Sequence, residues 1–294
     1  MPVVLVKKTT HVPGGAANVA RNVLSLKGSV SVFGCVGADE EGRSLLKMLC
    51  DGGADTSGVV VIEDGHTTVK TRVLASNQQV VRVDREVPDE ITDEIRARLL
   101  SNLESAFAAG KIDALIMEDY AKGVFTKEFM QKAADLAGRY NVISTLDPHP
   151  SHAFDIKGIT LMTPNRMEAF ALAGIRHEAG IGDPMNDLPL KMVGETLMGK
   201  WSAKMLLVTL GAEGMALFRQ DGSPLLVIPT QARQVFDVSG AGDTVMATIT
   251  LAICAGAQPS DAAALANHAA GIVVGYVGTR AIEADELRDV LEGK

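Results

Sequence analysis

Hydrophobic and polar positions along the chain fall into two alternating kinds of stretch. Short apolar runs rich in β-branched residues predict strands at 30–36, 114–117, 142–146, 160–162, 205–209 and 215–219. Between them lie amphipathic, Ala- and Leu-rich stretches. These predict helices at 16–26, 42–51, 89–109, 127–140, 166–173, 187–201, 242–255 and 259–276. Strands that alternate with helices imply crossover connections, hence a mostly parallel sheet with helices on both faces. One region breaks the alternation. From 67 to 87 polar and apolar residues alternate with period two around a turn at Asn77, which predicts two antiparallel strands with one exposed face. Residues 2–8 read as a further strand of the same small unit. Such a flap is either a lid over a site or an ordinary edge hairpin. No repeat or low-complexity segment appears, so residues 1–294 read as one α/β domain with lid strands at 2–8 and 67–87.

The strongest chemical signal is Phe236-Asp237-Val238-Ser239-Gly240-Ala241-Gly242-Asp243-Thr244, which opens a predicted helix. Gly240 and Gly242 let the backbone curl without a Cβ in the way of a ligand. N–H groups at a helix N-terminus, with the helix dipole behind them, make an anion hole suited to a phosphoryl group. Asp243 beside it is placed to accept a proton from an attacking hydroxyl. A plain tight turn followed by a helix cap is the alternative for the same residues. Two further turns enter predicted helices. Gly14-Gly15-Ala16-Ala17-Asn18 gives close backbone access to a ligand, or simply starts a helix well. Thr163-Pro164-Asn165-Arg166-Met167-Glu168 puts Asn165 and Glu168 on one side of a first helical turn. Hard oxygen donors there suit Mg²⁺, and the same pair also suits a capping box.

Together these strings resemble the signatures of the ribokinase-like (PfkB) carbohydrate kinases, over nearly the whole chain. The resemblance implies that fold and an ATP-dependent sugar kinase. It implies that Asp243 is the base and that Gly240, Ala241 and Gly242 stabilise the transferring phosphoryl. Gly14, Gly15 and Asn18 are then on the sugar, and Asn165 and Glu168 organise Mg²⁺ and the ATP phosphates. Asp237 matches a residue near a monovalent-cation site, for which K⁺ is the expected ion. Thr209, Gly211 and Gly214 resemble the nucleotide-side loop, and Asn267 lies in a stretch that resembles the adenine-side helix. A plain turn and a small-residue packing helix fit these last two equally well.

Two segments point to one branch of that family. Arg72-Val73-Leu74-Ala75-Ser76-Asn77-Gln78-Gln79-Val80-Val81-Arg82-Val83-Asp84 and Asp119-Tyr120-Ala121-Lys122-Gly123 resemble stretches of the heptose-7-phosphate kinases. The implied substrate is D-glycero-D-manno-heptose 7-phosphate, phosphorylated on its anomeric hydroxyl for nucleotide-heptose and lipopolysaccharide synthesis. Gln78 joins the implied substrate residues. Arg72, Arg82 and Lys122 are the cations available for a sugar phosphate, or else solvated charges on a hairpin. The sequence departs from the family in two places. Asp147-Pro148-His149-Pro150 stands where many relatives have Asp-Pro-Lys-Gly. The family's first sheet strand and its sugar-binding Asp have no counterpart before 2–8, so the first strand is expected to be missing and activity to be weak. Another PfkB sugar or nucleoside kinase, or a catalytically weak binding relative, are the competing readings.

Composition narrows partners rather than fold. A net charge of −8 with no basic run gives no nucleic-acid footprint. No uncharged apolar run reaches spanning length. Cys35, Cys50 and Cys254 are far apart and form no CxxC pair, so they read as reduced core thiols in a cytoplasmic protein. The expected partners are a small sugar phosphate and a second copy of the chain as a homodimer, with neither nucleic acid nor membrane.

Overall fold

The computed structural model describes residues 3–75, 78–86, 91–177, 182–232 and 234–293. The chain begins with α1 (Ala16–Ser25), β1 (Ser31–Gly37), α2 (Glu40–Asp51) and β2 (Asp55–Ile62). The hairpin of β3 (Val69–Ala75) and β4 (Gln78–Arg85) follows, then α3 (Asp93–Ala108), β5 (Ala114–Glu118), α4 (Lys127–Arg139), β6 (Ile143–Asp147) and β7 (Leu161–Met162). The second half runs α5 (Arg166–Ala173), α6 (Leu188–Trp201), β8 (Met205–Thr209), β9 (Met215–Arg219), β10 (Leu226–Ile228), α7 (Ala241–Cys254), α8 (Pro259–Val273) and α9 (Ala284–Leu291).

Six strands form the main sheet in the order β10-β9-β8-β7-β6-β5. β5 to β8 are parallel, and β9 and β10 close the sheet antiparallel. β8 shows why this sheet needs helices on both sides. Met205 and Leu207 point into a cluster with Val245, Ile249 and Ala262 of α7 and α8. Leu206 and Val208 point the other way, into a cluster with Phe170, Val193, Leu197 and Trp201 of α5 and α6. Successive residues of a strand alternate faces, so a strand buried on both sides must be apolar throughout. Trp201 is core, and its indole N–H donates to the Phe154 carbonyl at 2.8 Å.

β1 and β2 make a separate parallel ladder, and among the described residues β1 does not pair with β5. The helices nonetheless span both ladders. Val30 and Ile116 pack on the same cluster of Val19, Val23, Met246 and Ala247, contributed by α1 and α7. On the opposite side Cys35 and Val60 pack with Leu99 and Phe129 of α3 and α4. β1 and β5 remain mostly half-buried.

Three expectations need correction. Residues 3–8 form no strand: Val3, Val4, Leu5 and Val6 are exposed, with no neighbouring strand to satisfy a ladder. β3 and β4 pair antiparallel as expected, but the hairpin has no buried face. Only Val69 and Val73 on it are even half-buried, while Leu74, Val80, Val81 and Val83 are exposed. The turn expected at Asn77 lies outside the described residues. Cys50 is exposed on α2 and is not a core thiol, whereas Cys35 and Cys254 are half-buried.

The hairpin is tied down at its base. Asp39 caps α2 by accepting from Gly42 N–H at 2.8 Å. It also accepts the Thr67 N–H at 2.8 Å and the Thr67 hydroxyl at 2.7 Å. Arg85 reaches Glu41 at 2.8 Å. Burial acts to raise the Asp39 carboxyl, but the donors from Thr67 and Gly42, with Arg85 beside them, outweigh it and hold the group at about 2. A carboxylate depressed in this way stabilises the fold above its unfolded value near 4 and loses that effect as pH falls toward 2. Asp39→Ala is therefore expected to cost roughly 1–2 kcal/mol at pH 7, the usual loss for such a cap. In urea unfolding, the gap from wild type should close between about pH 4 and 2. Equal stability at pH 7 would contradict the clip.

Candidate active site

The parallel strands of the main sheet all deliver polar residues at their carboxyl ends, the usual location of ligand sites in open α/β sheets. β5 ends in Glu118 and leads to Asp119 and Tyr120. β6 ends in Asp147, β7 leads to Asn165, and β8 ends in Thr209. Asn165 and Thr209 are joined by an isolated parallel bridge, so two separate sequence motifs meet.

Asp243 sits in the first turn of α7, whose N-cap Gly240 has φ 82°. Its carboxylate accepts from the Asn18 amide at 2.7 Å and from the Tyr120 hydroxyl at 3.0 Å. Burial raises its pKa above the ordinary value, and the bonds from Asn18 and Tyr120 partly offset this. Asn18, expected on the sugar, is instead fully buried between α1 and α7, with its amide directed at Asp243. One turn on, Asn22 accepts from the Thr244 hydroxyl at 3.2 Å and from Ile282 N–H at 3.0 Å. The two asparagines form a polar seam along an otherwise apolar helix face, and the seam fixes where the carboxylate points.

The two glycines of the loop differ in what requires them. A Cβ on Gly240 would lie 2.9 Å from Asn18 Nδ2 and 2.9 Å from Thr279 Cγ2, so the fold itself demands glycine. A Cβ on Gly242 would meet nothing within 4 Å. Glycine there leaves open space before the helix N-terminus, where a phosphoryl group would approach. Of the three amides in the expected anion hole, that of Ala241 is already bonded to Val238 O at 3.2 Å. Among the described residues, those of Gly240 and Gly242 are not so committed. Asp237 accepts from Ser239 N–H at 2.9 Å and from Gly278 N–H at 3.0 Å, which ties this loop to the 277–279 segment. Burial opposes ionisation of Asp237, but these amides and nearby Arg72 win and lower its pKa.

Gly15, with φ 55°, lies under Tyr120: an added Cβ would be 3.2 Å from the ring. Gly14 faces open space. Asn165 and Glu168 make a full capping box at the start of α5, with Glu168 Oε2 accepting Asn165 N–H at 2.8 Å. Burial raises the Glu168 carboxyl, while the Asn165 amide and His149 pull it back. The Gly211 turn follows β8. Gly214 is required by the backbone, because a Cβ there would fall 2.0 Å from the Ile228 carbonyl. Asn267 is buried and its amide donates to Pro229 O at 2.6 Å, so it supports the 229 loop and does not face open space.

Beside it lies a cleft of about 740 Å³ lined by Gln231, Gln234, Phe236, His268, Gly271 and Tyr276. The sequence pattern does not point to most of these residues, nor to Tyr120 as a partner of Asp243. The available signals are that Phe236 opens the Asp243 string and that His268 and Gly271 share a helix with Asn267. The expected phosphate clamp is not assembled. Arg82 pairs with Asp84 on its own strand at 2.9 Å, and Lys122 is engaged by Glu86, which also pairs with Lys70 at 3.1 Å. Arg72 lies opposite Arg82 on the hairpin. The side chain of Gln78 lies outside the described residues.

Residues 1–286 match the family described as pfkB family carbohydrate kinase. A bifunctional protein HldE of Desulfatibacillum aliphaticivorans is 40% identical over 293 residues, covering 99% of this chain and 57% of that protein. The chain thus spans about half the length of the curated relatives it matches. Phosphofructokinase-2 from Escherichia coli, solved with substrates and products, superposes with a TM-score of 0.76 at 20% identity, covering 95% of this chain and 87% of that one. Arabidopsis thaliana ribokinase, complexed with ribose and ATP, gives 0.74 at 22% identity over 99% and 91%. The expected ribokinase-like fold is therefore observed. No helix among the described residues is long and apolar enough to cross a membrane.

The two glycines generate a paired prediction. Gly240→Ala should lower stability by about 1–3 kcal/mol, from left-handed backbone and overpacking. Gly242→Ala, in a helix and facing open space, should keep or slightly raise stability, yet lower turnover at least tenfold by filling the phosphoryl approach. Thermal melts and turnover on the same samples read both effects. A destabilised but fully active Gly242→Ala protein would contradict the assignment.

Proposed function

We propose that this chain, which belongs to the pfkB family of carbohydrate kinases, transfers the γ-phosphoryl of ATP to the anomeric hydroxyl of D-glycero-D-manno-heptose 7-phosphate. The observation that carries the reaction class is the Asp243 carboxylate, fixed by Asn18 and Tyr120 at the mouth of α7. The likeness to HldE proteins at 40% identity supports the heptose.

In this reading Asp243 takes the proton of the anomeric hydroxyl as its oxygen bonds to the γ-phosphorus. The bridging P–O bond breaks and ADP leaves with that electron pair. Negative charge that develops on the phosphoryl oxygens faces the amides of Gly240 and Gly242 and the N-terminal end of the α7 dipole. Those donors are already in place, so little reorganisation is needed. The cleft beside Phe236 and His268 would take the adenine, with Thr209 and Gly211 on the phosphate side. Asn267 and Gly214 contribute by holding the loops that wall it.

A divalent ion fits the start of α5. The capping box uses Glu168 Oε2 and Asn165 Oδ1, which leaves Glu168 Oε1 as a hard oxygen donor. Mg²⁺ held there through water would neutralise charge on the ATP phosphates. Asp237 orients both loops around the expected K⁺ position, and its two oxygens already accept amides. Gly14 and Gly15 give the sugar close access beside Tyr120. Lys122 would reach a sugar phosphate only by exchanging Glu86 for it.

Asp243→Asn should lower turnover by roughly 10²–10⁴-fold with ATP affinity largely kept, as expected for loss of a general base. The base must be ionised, so activity should fall with decreasing pH below an apparent pKa above the ordinary aspartate range. A coupled ATPase assay across phosphorylated and unphosphorylated sugars should show the 7-phosphorylated heptose used best. Turnover of Asp243→Asn within a few-fold of wild type would reject the base. Better use of an unphosphorylated sugar would reject the substrate.

A further inference from the structure

Behind the base lies a second carboxyl group that the proposed chemistry does not use. The Tyr120 hydroxyl is 3.0 Å from Asp243 Oδ1 and 3.2 Å from Glu118 Oε2. A phenol has one proton and donates to one acceptor at a time. Were both carboxylates ionised, one contact would be an oxygen facing an oxygen with no hydrogen between them. Both contacts are satisfied only when one carboxyl carries its own proton and donates it to the phenol oxygen.

Which one carries it follows from the surroundings. Glu118 Oε1 is sealed from solvent with no hydrogen-bond partner. Glu118 faces two further acids, Asp147 opposite it on β6 and Asp243 on α7; burial and its own acidic neighbours also raise the Asp147 carboxyl well above the usual range, so no cation is among the groups acting on Glu118. Asn18, the nearby side chain from α1, is neutral and donates to Asp243. Asp243 thus has two donors and the N-terminal end of a helix, whereas Glu118 has only the shared phenol. An ionised carboxylate with an unpartnered oxygen among like charges is far costlier than a neutral acid there.

Resting on the kinase reading above, we infer that Glu118 is a positioning residue held as the neutral acid, donating to the Tyr120 oxygen so that the Tyr120 proton is fixed on Asp243. The chain Glu118–Tyr120–Asp243 then keeps the base ionised and aimed, because hydrogen bonds in series polarise one another. No proton moves through Glu118 in the transfer step: Asp243 receives the substrate proton, and Glu118 keeps its own. Burial and the two neighbouring carboxylates raise Glu118 well above the usual range, in the direction this arrangement requires.

The test uses the full chain with ¹³C-labelled carboxyl groups, and it works whichever sugar is the substrate. With Glu118→Gln used to assign the resonance, Glu118 in the wild type should show the shift of a protonated carboxyl at pH 7. An ionised shift overturns the proposal. In kinetics, on whichever sugar the wild type turns over, Glu118→Leu should lower kcat about tenfold with little change in KM. Its acid limb should move up by on the order of half a pH unit, because Asp243 loses the polarised donor. Glu118→Gln keeps a donor and should recover most of that activity. Glu118→Leu added to Tyr120→Phe should cost no more than Tyr120→Phe alone, since the effect passes through the phenol. An unchanged limb, a limb that moves down, or losses that multiply would each overturn it. Absence of turnover on 7-phosphorylated heptose in the wild type would reject the substrate reading and leave the carboxyl titration standing.

Discussion

A half-buried carboxylate is the constraint around which this molecule is arranged. Partial burial disfavours the charge on Asp243, and donors aimed at it offset that cost. Those donors come from distant parts of the chain. Asn18 is on α1, and Tyr120 is on the loop after β5. The Asn22–Thr244 bond one turn deeper holds α1 and α7 in the register that makes Asn18 meet Asp243. Removing any one of these would leave a charge or an amide unpaired inside the protein, a more expensive fault than losing an apolar contact. Under the proposed function, folding and catalysis share the same few residues.

The sheet supplies the geometry. Four parallel strands end together, which brings Glu118, Asp147, Asn165 and Thr209 to one rim, and α7 delivers Asp243 across it. Because β8 is apolar on both faces, the rim is the one place along that strand where polar groups face neither helix layer. The hairpin of β3 and β4 contributes little to the core, since its side chains are almost all exposed. Asp39, Glu41 and Glu86 fix its base to α2 and to the loop after β5. It is thus an appendage anchored by polar contacts, placed beside the rim and not built into the interior.

Much of this is legible in the sequence, for physical reasons. β8, β9 and α5 fall within the expected ranges, because a both-face-buried strand and a capped helix leave strong local patterns. The Asp243 loop is legible because one short string joins two glycines and an acid at a helix start, more than a turn alone requires. β2 is not among the expected strands: its second half, Val59-Val60-Val61-Ile62, is a β-branched run, but its first half, Asp55-Thr56-Ser57-Gly58, is polar and is drawn into the strand by pairing with β1. α9 escapes notice because it is short and has a single buried residue, Leu287. Residues 3–8 have a strand's composition without a strand's partner, and composition alone cannot tell the two apart. In the site, Asn18 reads as a ligand contact because local sequence shows a polar side chain near a glycine turn. That its amide meets Asp243 depends on a contact 225 residues away. Tyr120 and Glu118 are hidden for the same reason. The strand-end sequence fixes their backbone, but only the packing of α7 makes them neighbours of Asp243.

The most direct test of the central claim is where the phosphoryl group goes. Wild-type protein with ATP, Mg²⁺ and D-glycero-D-manno-heptose 7-phosphate should give a product with a second ³¹P resonance. That resonance should couple to the anomeric proton, while the 7-phosphate signal is retained. A phosphate on any other carbon, or release of inorganic phosphate with the sugar unchanged, would contradict an Asp243 base aimed at the anomeric hydroxyl.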